Sequence, residues 1–334
     1  VDANDRYWFQ IVTSPARFQI LSLDGGGVKA LFSADVLARI EADLGVSVRD
    51  TFDLITGTSA GGIIALALGA GMSPAEIVDE YRSIVERVFP EGRRRMYRYP
   101  LRLFRTTYRP EPLRAALEEL FGSRLLGDSD KMLVIPSWDA QNGSVHVFKT
   151  RHHPRLNRDW KIPMTDVALA TSAAPTFLPA AQVDGHRLID GGVWANNPSV
   201  VAIAEAASML DVDLSFIRLL NIGTTSPLAD HPRRLDGAGV GPWARRAPEL
   251  LMAASSRGTQ GVAEHLLSSE RYHRFDAMVP RGRFTLDGAD PNDLAGLSAK
   301  VSRDLSPVFA TSFGGYEAGP FDPSPSHFRV QEIT

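Results

Sequence analysis

The pentapeptide Gly57-Thr58-Ser59-Ala60-Gly61 stands between an apolar run, Phe52 to Ile55, and a second apolar run of helical character, Ile63 to Leu68. A strand that passes into a helix through so short a turn strains the backbone at its apex, and neighbours two residues away must lack side-chain bulk. Gly57 and Gly61 meet that demand, and Ala60 and Gly62 relieve the crowding further. The stretch therefore predicts a strand, turn and helix that present Ser59 as a nucleophile. The competing reading is a glycine-rich helix start packed closely on a sheet, since G-x-S-x-G alone says little in a chain with 28 glycines.

Two further glycine-rich turns follow predicted strands. The β-formers Phe18 to Leu23 run into Asp24-Gly25-Gly26-Gly27, and a strand from His186 to Ile189 closes on Asp190-Gly191-Gly192. After the first turn, Leu31, Phe32, Val36, Leu37 and Ile40 recur at helical spacing until Gly45. Strand, helix and the strand at 52–55 make a βαβ unit, which favours parallel pairing and a right-handed crossover. In an open parallel sheet, ligands bind beyond the carboxyl ends of strands, so the three turns are expected on one rim. The pattern predicts an α/β fold with a central, mostly parallel sheet flanked by helices.

Ser73-Pro74 reads as a helix cap followed by proline at the first helical position, with Ile77, Tyr81, Ile84, Val85 and Val88 on one apolar face. Further helices are expected at 111–121, 164–174, 198–210, 243–267 and 291–304, and strands at 132–136, 145–149, 216–222 and 271–279. Without an internal repeat or low-complexity linker, the 334 residues are expected to form a leader, 1–17, and a single domain, 18–334. Within that domain the motifs fall in 18–225, an arginine-rich insertion at 92–110, and 226–334 is the least legible part.

Zero cysteines exclude disulfides, thiol nucleophiles and cysteine-ligated metals, and no metal or cofactor is expected. A net charge of -3 gives no general bias toward nucleic-acid polymers. The most apolar run, Ile63 to Met72, is about half of the roughly 20 residues that a spanning helix needs. With Asp2 and Asp5 near its start, the leader shows no signal-peptide core, so a cytoplasmic protein is expected. Cations concentrate in one place, at Arg93, Arg94, Arg95, Arg98 and Arg102, interleaved with aromatic residues and without an acid between Gly92 and Pro110. Such a stretch can dock on anionic lipid, grip a nucleotide, meet another subunit of a homo-oligomer, or remain a solvated loop.

A serine nucleophile needs a base and donors for the developing oxyanion. Backbone N–H groups of Gly25, Gly26 and Gly27 at a helix start can supply the donors. The rival, a nucleotide-phosphate loop, fits less well because G-G-G-V-K-A matches neither phosphate-loop pattern. Lys29 either helps hold an anion there or is simply solvated. None of the eight histidines follows a strand in a tight turn. Asp190 does, flanked by Gly191 and Gly192, and serves either as a base in close contact with Ser59 or as a turn aspartate satisfying local N–H groups.

Taken together and in order, D-G-G-G-V-K at 24–29, G-T-S-A-G-G at 57–62, A-T-S-A-A-P-T at 170–176 and D-G-G-V-W-A-N-N-P at 190–198 resemble the patatin-like phospholipase family. The resemblance spans about residues 18 to 225 and implies the family's three-layer α/β fold. It implies a Ser-Asp dyad of Ser59 and Asp190, an oxyanion hole at Gly25 to Gly27, and supporting roles for Asp24, Lys29, Gly57, Gly61, Gly191 and Gly192. Lys29 stands where arginine is common. The implied activity is calcium-independent, phospholipase A-type cleavage of membrane glycerophospholipids, releasing free fatty acid through an acyl-enzyme. The compact form resembles the bacterial branch, which includes cyclic-oligonucleotide-activated effectors of anti-phage defence. Small-substrate esterase or acyltransferase chemistry, or a non-catalytic phosphate- or nucleotide-binding module, are the alternatives to be separated by experiment.

Overall fold

The computed structural model describes residues 17–89, 106–228, 236–319 and 321, apart from the side chains at 242 and 244–249. The arginine-rich stretch with Arg93, Arg94, Arg95, Arg98 and Arg102 lies outside the described residues, as do most of the leader and the last residues of the chain. The central sheet follows the order β5 (Ala181–Val183), β6 (His186–Asp190), β3 (Met132–Asp139), β2 (Leu54–Gly57), β1 (Phe18–Leu23), β7 (Ile217–Ile222) and β9 (Tyr272–Phe275), with β4 (Ser144–Lys149) also on β3. Strands β1, β2, β3, β7 and β9 are parallel; β4, β5 and β6 are joined by antiparallel pairings. A short parallel pair, β8 (Ser226–Pro227) and β10 (Met278–Val279), stands apart.

The parallel strands are apolar on both faces because helices cover both. Alternation then divides each strand: Leu21, Leu23, Ile55, Leu220 and Ile222 enter one core, and Ile20, Leu54, Ile217 and Leu219 the other. The larger core lies under α1 (Ala30–Leu44), α3 (Ala60–Gly69), α4 (Pro74–Val88), α5 (Glu111–Phe121), α6 (Met164–Ser172) and the last helix, α10 (Pro291–Ser312). The smaller one lies under α8 (Ser199–Ser208) and the long α9 (Val240–Leu267). Two short helices complete the described part, α2 (Val48–Thr51) and α7 (Gly192–Ala195). Ser73 and Glu76 close the expected capping box of α4.

Three expected boundaries move for identifiable reasons. The helix expected at 291–304 continues to Ser312 through Pro307, because Phe309 and Phe313 pack on Phe52 and hold the last turns down. The strand expected at 271–279 breaks into β9 and β10 at Asp276, whose carboxylate turns the chain by accepting from the N–H groups of Thr225 and Ala277 and from Ser226 Oγ. Strand β3 runs to Asp139 rather than 136, since its far half is paired on both edges.

That double pairing positions the site. At Val134, β3 pairs with β4 on one edge and β2 on the other; by Ser137 the second edge has passed to β6. Strands β2 and β6 therefore share one edge of β3 and run toward each other. Thr56 sits opposite Val134 and Asp190 opposite Ser137, three residues or roughly 10 Å apart along β3. The Ser59 turn and the Asp190 turn meet because two opposed strands end head to head. This differs from the expected single rim of parallel strands: β6 is antiparallel to β3.

Candidate active site

Ser59 has φ 55° and ψ -125°, a left-handed conformation that costs a non-glycine residue about 1–3 kcal/mol and needs tight surroundings. Those surroundings are glycines. A Cβ on Gly57 would lie 2.1 Å from the Gly61 carbonyl oxygen, and one on Gly61 would lie 2.5 Å from the Leu23 oxygen. The two glycines that bracket the serine allow the turn to close on itself and on the end of β1.

The Ser59 hydroxyl donates to Asp190 Oδ2 at 2.6 Å, and the Gly192 N–H donates to Oδ1 of the same carboxylate at 2.6 Å. Asp190 is only 6% exposed. Burial pushes its carboxyl up to about 6, against the pull of the hydrogen bonds from Ser59 and Gly192. Among the described residues no histidine contacts either side chain. His186 pairs with Asp139 and His152 with Glu205, away from the dyad, while His231 and His327 lie outside the described residues.

The glycine loop after β1 reaches the serine: a Cβ on Gly25 would stand 3.4 Å from that of Ser59. Its three amides are not equivalent. Gly25 N–H donates to the Asn196 carbonyl at 2.9 Å, whereas those of Gly26 and Gly27 have no acceptor among the described residues. The loop is held by its carbonyls, Gly25 O accepting from Thr224 Oγ1 and Gly27 O from the Tyr81 hydroxyl. Gly27 has φ 57°, and a Cβ there would meet the Leu286 oxygen at 2.1 Å. Lys29 donates to the Thr225 carbonyl at 3.2 Å, which ties the loop to the chain after β7.

Two sets of residues around the dyad were not singled out from sequence. Thr171, within A-T-S-A-A-P, accepts from the Ser59 N–H at 2.9 Å and donates to the Pro136 carbonyl at 2.6 Å. Its own carbonyl accepts from the Gly191 N–H at 3.3 Å, so one residue holds the backbones of both the serine and the acid. The second set anchors the glycine loop. Asp24 pairs with Arg274 of β9 at 2.9 Å and accepts from Asn221 Nδ2 at 2.8 Å, and Arg274 also pairs with Asp276 at 3.0 Å. The A-T-S-A-A-P motif was the available signal for Thr171; nothing local marks Arg274, which lies about 250 residues from its partner.

No group of side chains able to hold a metal ion occurs among the described residues.

The family model of patatin-like phospholipase matches residues 21–203. A cGAMP-activated phospholipase of Vibrio cholerae is 34% identical over 84% of this chain and 88% of its own length. Another of that description, from Escherichia coli, is 32% identical over 88% of this chain and 90% of its own. Among solved structures, VipD of Legionella pneumophila is a distant likeness, with TM-score 0.49 and 12% identity over 90% of this chain and 67% of its own. The family model and the relatives agree: the chain belongs to the patatin-like phospholipase family, serine hydrolases of carboxylic esters.

Proposed function

We propose that Ser59 and Asp190 form a catalytic dyad that cleaves acyl esters of membrane glycerophospholipids and releases free fatty acid. The observation that carries this reading is the 2.6 Å hydrogen bond from the serine hydroxyl, held in a strained turn, to a buried carboxylate. Asp190 Oδ2 takes the proton as Ser59 Oγ attacks the ester carbonyl carbon, and the amides of Gly26 and Gly27 donate to the oxyanion. Collapse breaks the ester C–O bond, and Asp190 returns the proton to the departing lysolipid oxygen. Water, deprotonated by Asp190, then hydrolyses the acyl-enzyme in the reverse sense. Gly25 supports the loop through Asn196 rather than facing the oxyanion.

Desolvation makes the carboxylate an adequate base: raised to about 6, it is still ionised at neutral pH yet holds a proton far better than a solvated aspartate. Lipid mass spectrometry on mixed phospholipids should show fatty acid and lysolipid as products, and a fluorophosphonate probe should label Ser59. Absence of both would overturn the dyad.

The relatives named for cGAMP activation support a second element of this reading, that a cyclic oligonucleotide switches the enzyme on, as in an anti-phage effector acting peripherally on the membrane from the cytoplasm. The arginines at 93, 94, 95, 98 and 102 are then candidates for the anionic headgroup or the activator. Turnover measured across a panel of cyclic oligonucleotides tests activation; charge reversal at Arg94 and Arg98, read by vesicle co-sedimentation at two salt concentrations, tests the headgroup role.

A further inference from the structure

Among the described residues nine large hydrophobic side chains are exposed: Val145, Val193, Leu228, Val240, Leu250, Leu251, Val262, Leu266 and Met278. Val145 lies on the edge strand β4. Val193 belongs to α7; Leu250 and Leu251 precede Ser255 on α9 by about one turn. Met278 lies on β10 and Leu228 directly after β8; Val240 starts α9, and Val262 and Leu266 lie in its far half, beside Ala263 and Leu267 of the smaller core. Val193, 48% exposed, follows Asp190 by three residues. Helix α9 rests on α7, with Ser255 Oγ donating to the Trp194 carbonyl and Asn196 Nδ2 donating to Ser256 Oγ. On the other side, Leu228 follows Thr224 and Thr225, which hold Gly25 and Lys29, and Met278 pairs with Ser226 in the same segment.

Helix α9 is unusual in what it turns outward. At 3.6 residues per turn, Ser256, Ala263 and Leu267 define its buried side. The opposite side carries Leu250, Leu251, Ala254, Gly258, Gly261, Val262 and His265, all exposed and without a charge, while Arg257 and Glu264 stand at one border. A helix on the surface of a globular protein ordinarily turns its charges there. Leu251, 67% exposed, lies one turn before Ser255, whose Oγ donates to the Trp194 carbonyl at the far end of α7 from Asp190.

We infer that the surface formed by α7, α9 and the β8–β10 pair is the face that enters the lipid interface during turnover. The inference rests on the phospholipid reading above. A diacyl substrate keeps its ester at the boundary between headgroup and hydrocarbon, so the surface around Ser59 must meet that boundary for the ester to reach the hydroxyl. Apolar side chains concentrated around the serine on two sides suit an interfacial contact. Another protein seated on the same residues would stand beside the site that the lipid has to enter.

The test uses the full chain, bilayer vesicles of phosphatidylethanolamine and phosphatidylglycerol, and a soluble p-nitrophenyl ester, each with and without a cyclic dinucleotide. L250D/L251D and, separately, M278D replace exposed side chains outside the dyad and its glycine loop. Vesicle co-sedimentation and hydrolysis of vesicle phospholipid should fall at least about tenfold in the helix variant and less in M278D, with soluble-ester turnover unchanged. Unchanged vesicle binding in both variants overturns the inference. So does a parent that is oligomeric without lipid and becomes monomeric in L250D/L251D while vesicle hydrolysis persists, since the face then belongs to a second copy. Failure of the parent on both ester and vesicle lipid strikes the dyad instead, and binding still decides the lipid face.

Discussion

Two buried aspartates end neighbouring segments of the site, and they have opposite surroundings. Asp24 and Asp190 are both nearly inaccessible, both precede a glycine pair, and burial raises the pKa of both. Asp24 faces a guanidinium, Arg274, and an amide, Asn221, which counter the cost of burying its charge. Asp190 faces a hydroxyl and one backbone N–H, and no cation among the described residues. A carboxylate matched by a fixed cation is a strut, because the cation counters the cost of its buried charge and sets its geometry. One left with neutral donors in a desolvated site keeps an affinity for a proton, which is what a base needs.

The contrast can be broken at the level of turnover. D190N should lower kcat by about 10⁴-fold or more without loss of fold, as removal of a general base does elsewhere, and S59A should do the same. Near-normal fatty-acid release by either variant would contradict the dyad. D24N should retain far more activity, because Asn can still accept from Asn221.

Breaking the strut should be mainly structural. R274M leaves Asp24 and Asp276 buried without their shared cation and should cost about 3–5 kcal/mol in denaturant unfolding. The deficit should shrink as pH is lowered, because a proton can then neutralise Asp24. A variant as stable as the parent at pH 8 would show that the glycine loop does not depend on this pair.

The sign of the pH dependence sharpens the comparison further. Since the folded-state pKa of Asp190 is raised from 3.8 to about 6, the folded protein binds more protons than the unfolded chain between these values. Its contribution to stability therefore falls as pH rises from about 4 to 6, by about 3 kcal/mol, and stays lost above. D190N should remove this penalty and melt higher than the parent at pH 8, while kcat/KM of the parent climbs through about pH 6 and then levels. A flat activity profile between pH 5 and 8 would place the base elsewhere.

The smallest effect is expected at Thr171, a positioning residue. T171V strands the Ser59 N–H and the Pro136 carbonyl, at about 1–3 kcal/mol, and should lower kcat roughly tenfold with KM and the pH profile unmoved. T171S should restore the rate; if it does not, the methyl group packed near Gly62 matters more than the hydroxyl.

The two residues that meet at 2.6 Å were legible because each sits in a local pattern: a glycine two places on either side of Ser59, and two glycines after Asp190. The strands of the parallel core were legible for the same reason, as short apolar runs that stop at turn residues. Legibility failed where partners are distant. Nothing near Arg274 announces Asp24, and Pro307 reads as a helix end until Phe309 and Phe313 are seen to pack on Phe52.

By itself, then, the sequence determined the local conformations: which turns need glycine, which runs pair as strands, and which serine is held under strain. Only the tertiary structure decided that β6 runs against β3 and meets β2 head to head, bringing Ser59 and Asp190 to 2.6 Å. It also decided that Gly25 spends its amide on Asn196, and that of two like carboxylates one receives a cation and the other, among the described residues, none. Backbone strain and side-chain alternation act over a few residues and are written into the order of the chain; hydrogen-bond partners, desolvation and charge pairing depend on which distant segments the fold brings together.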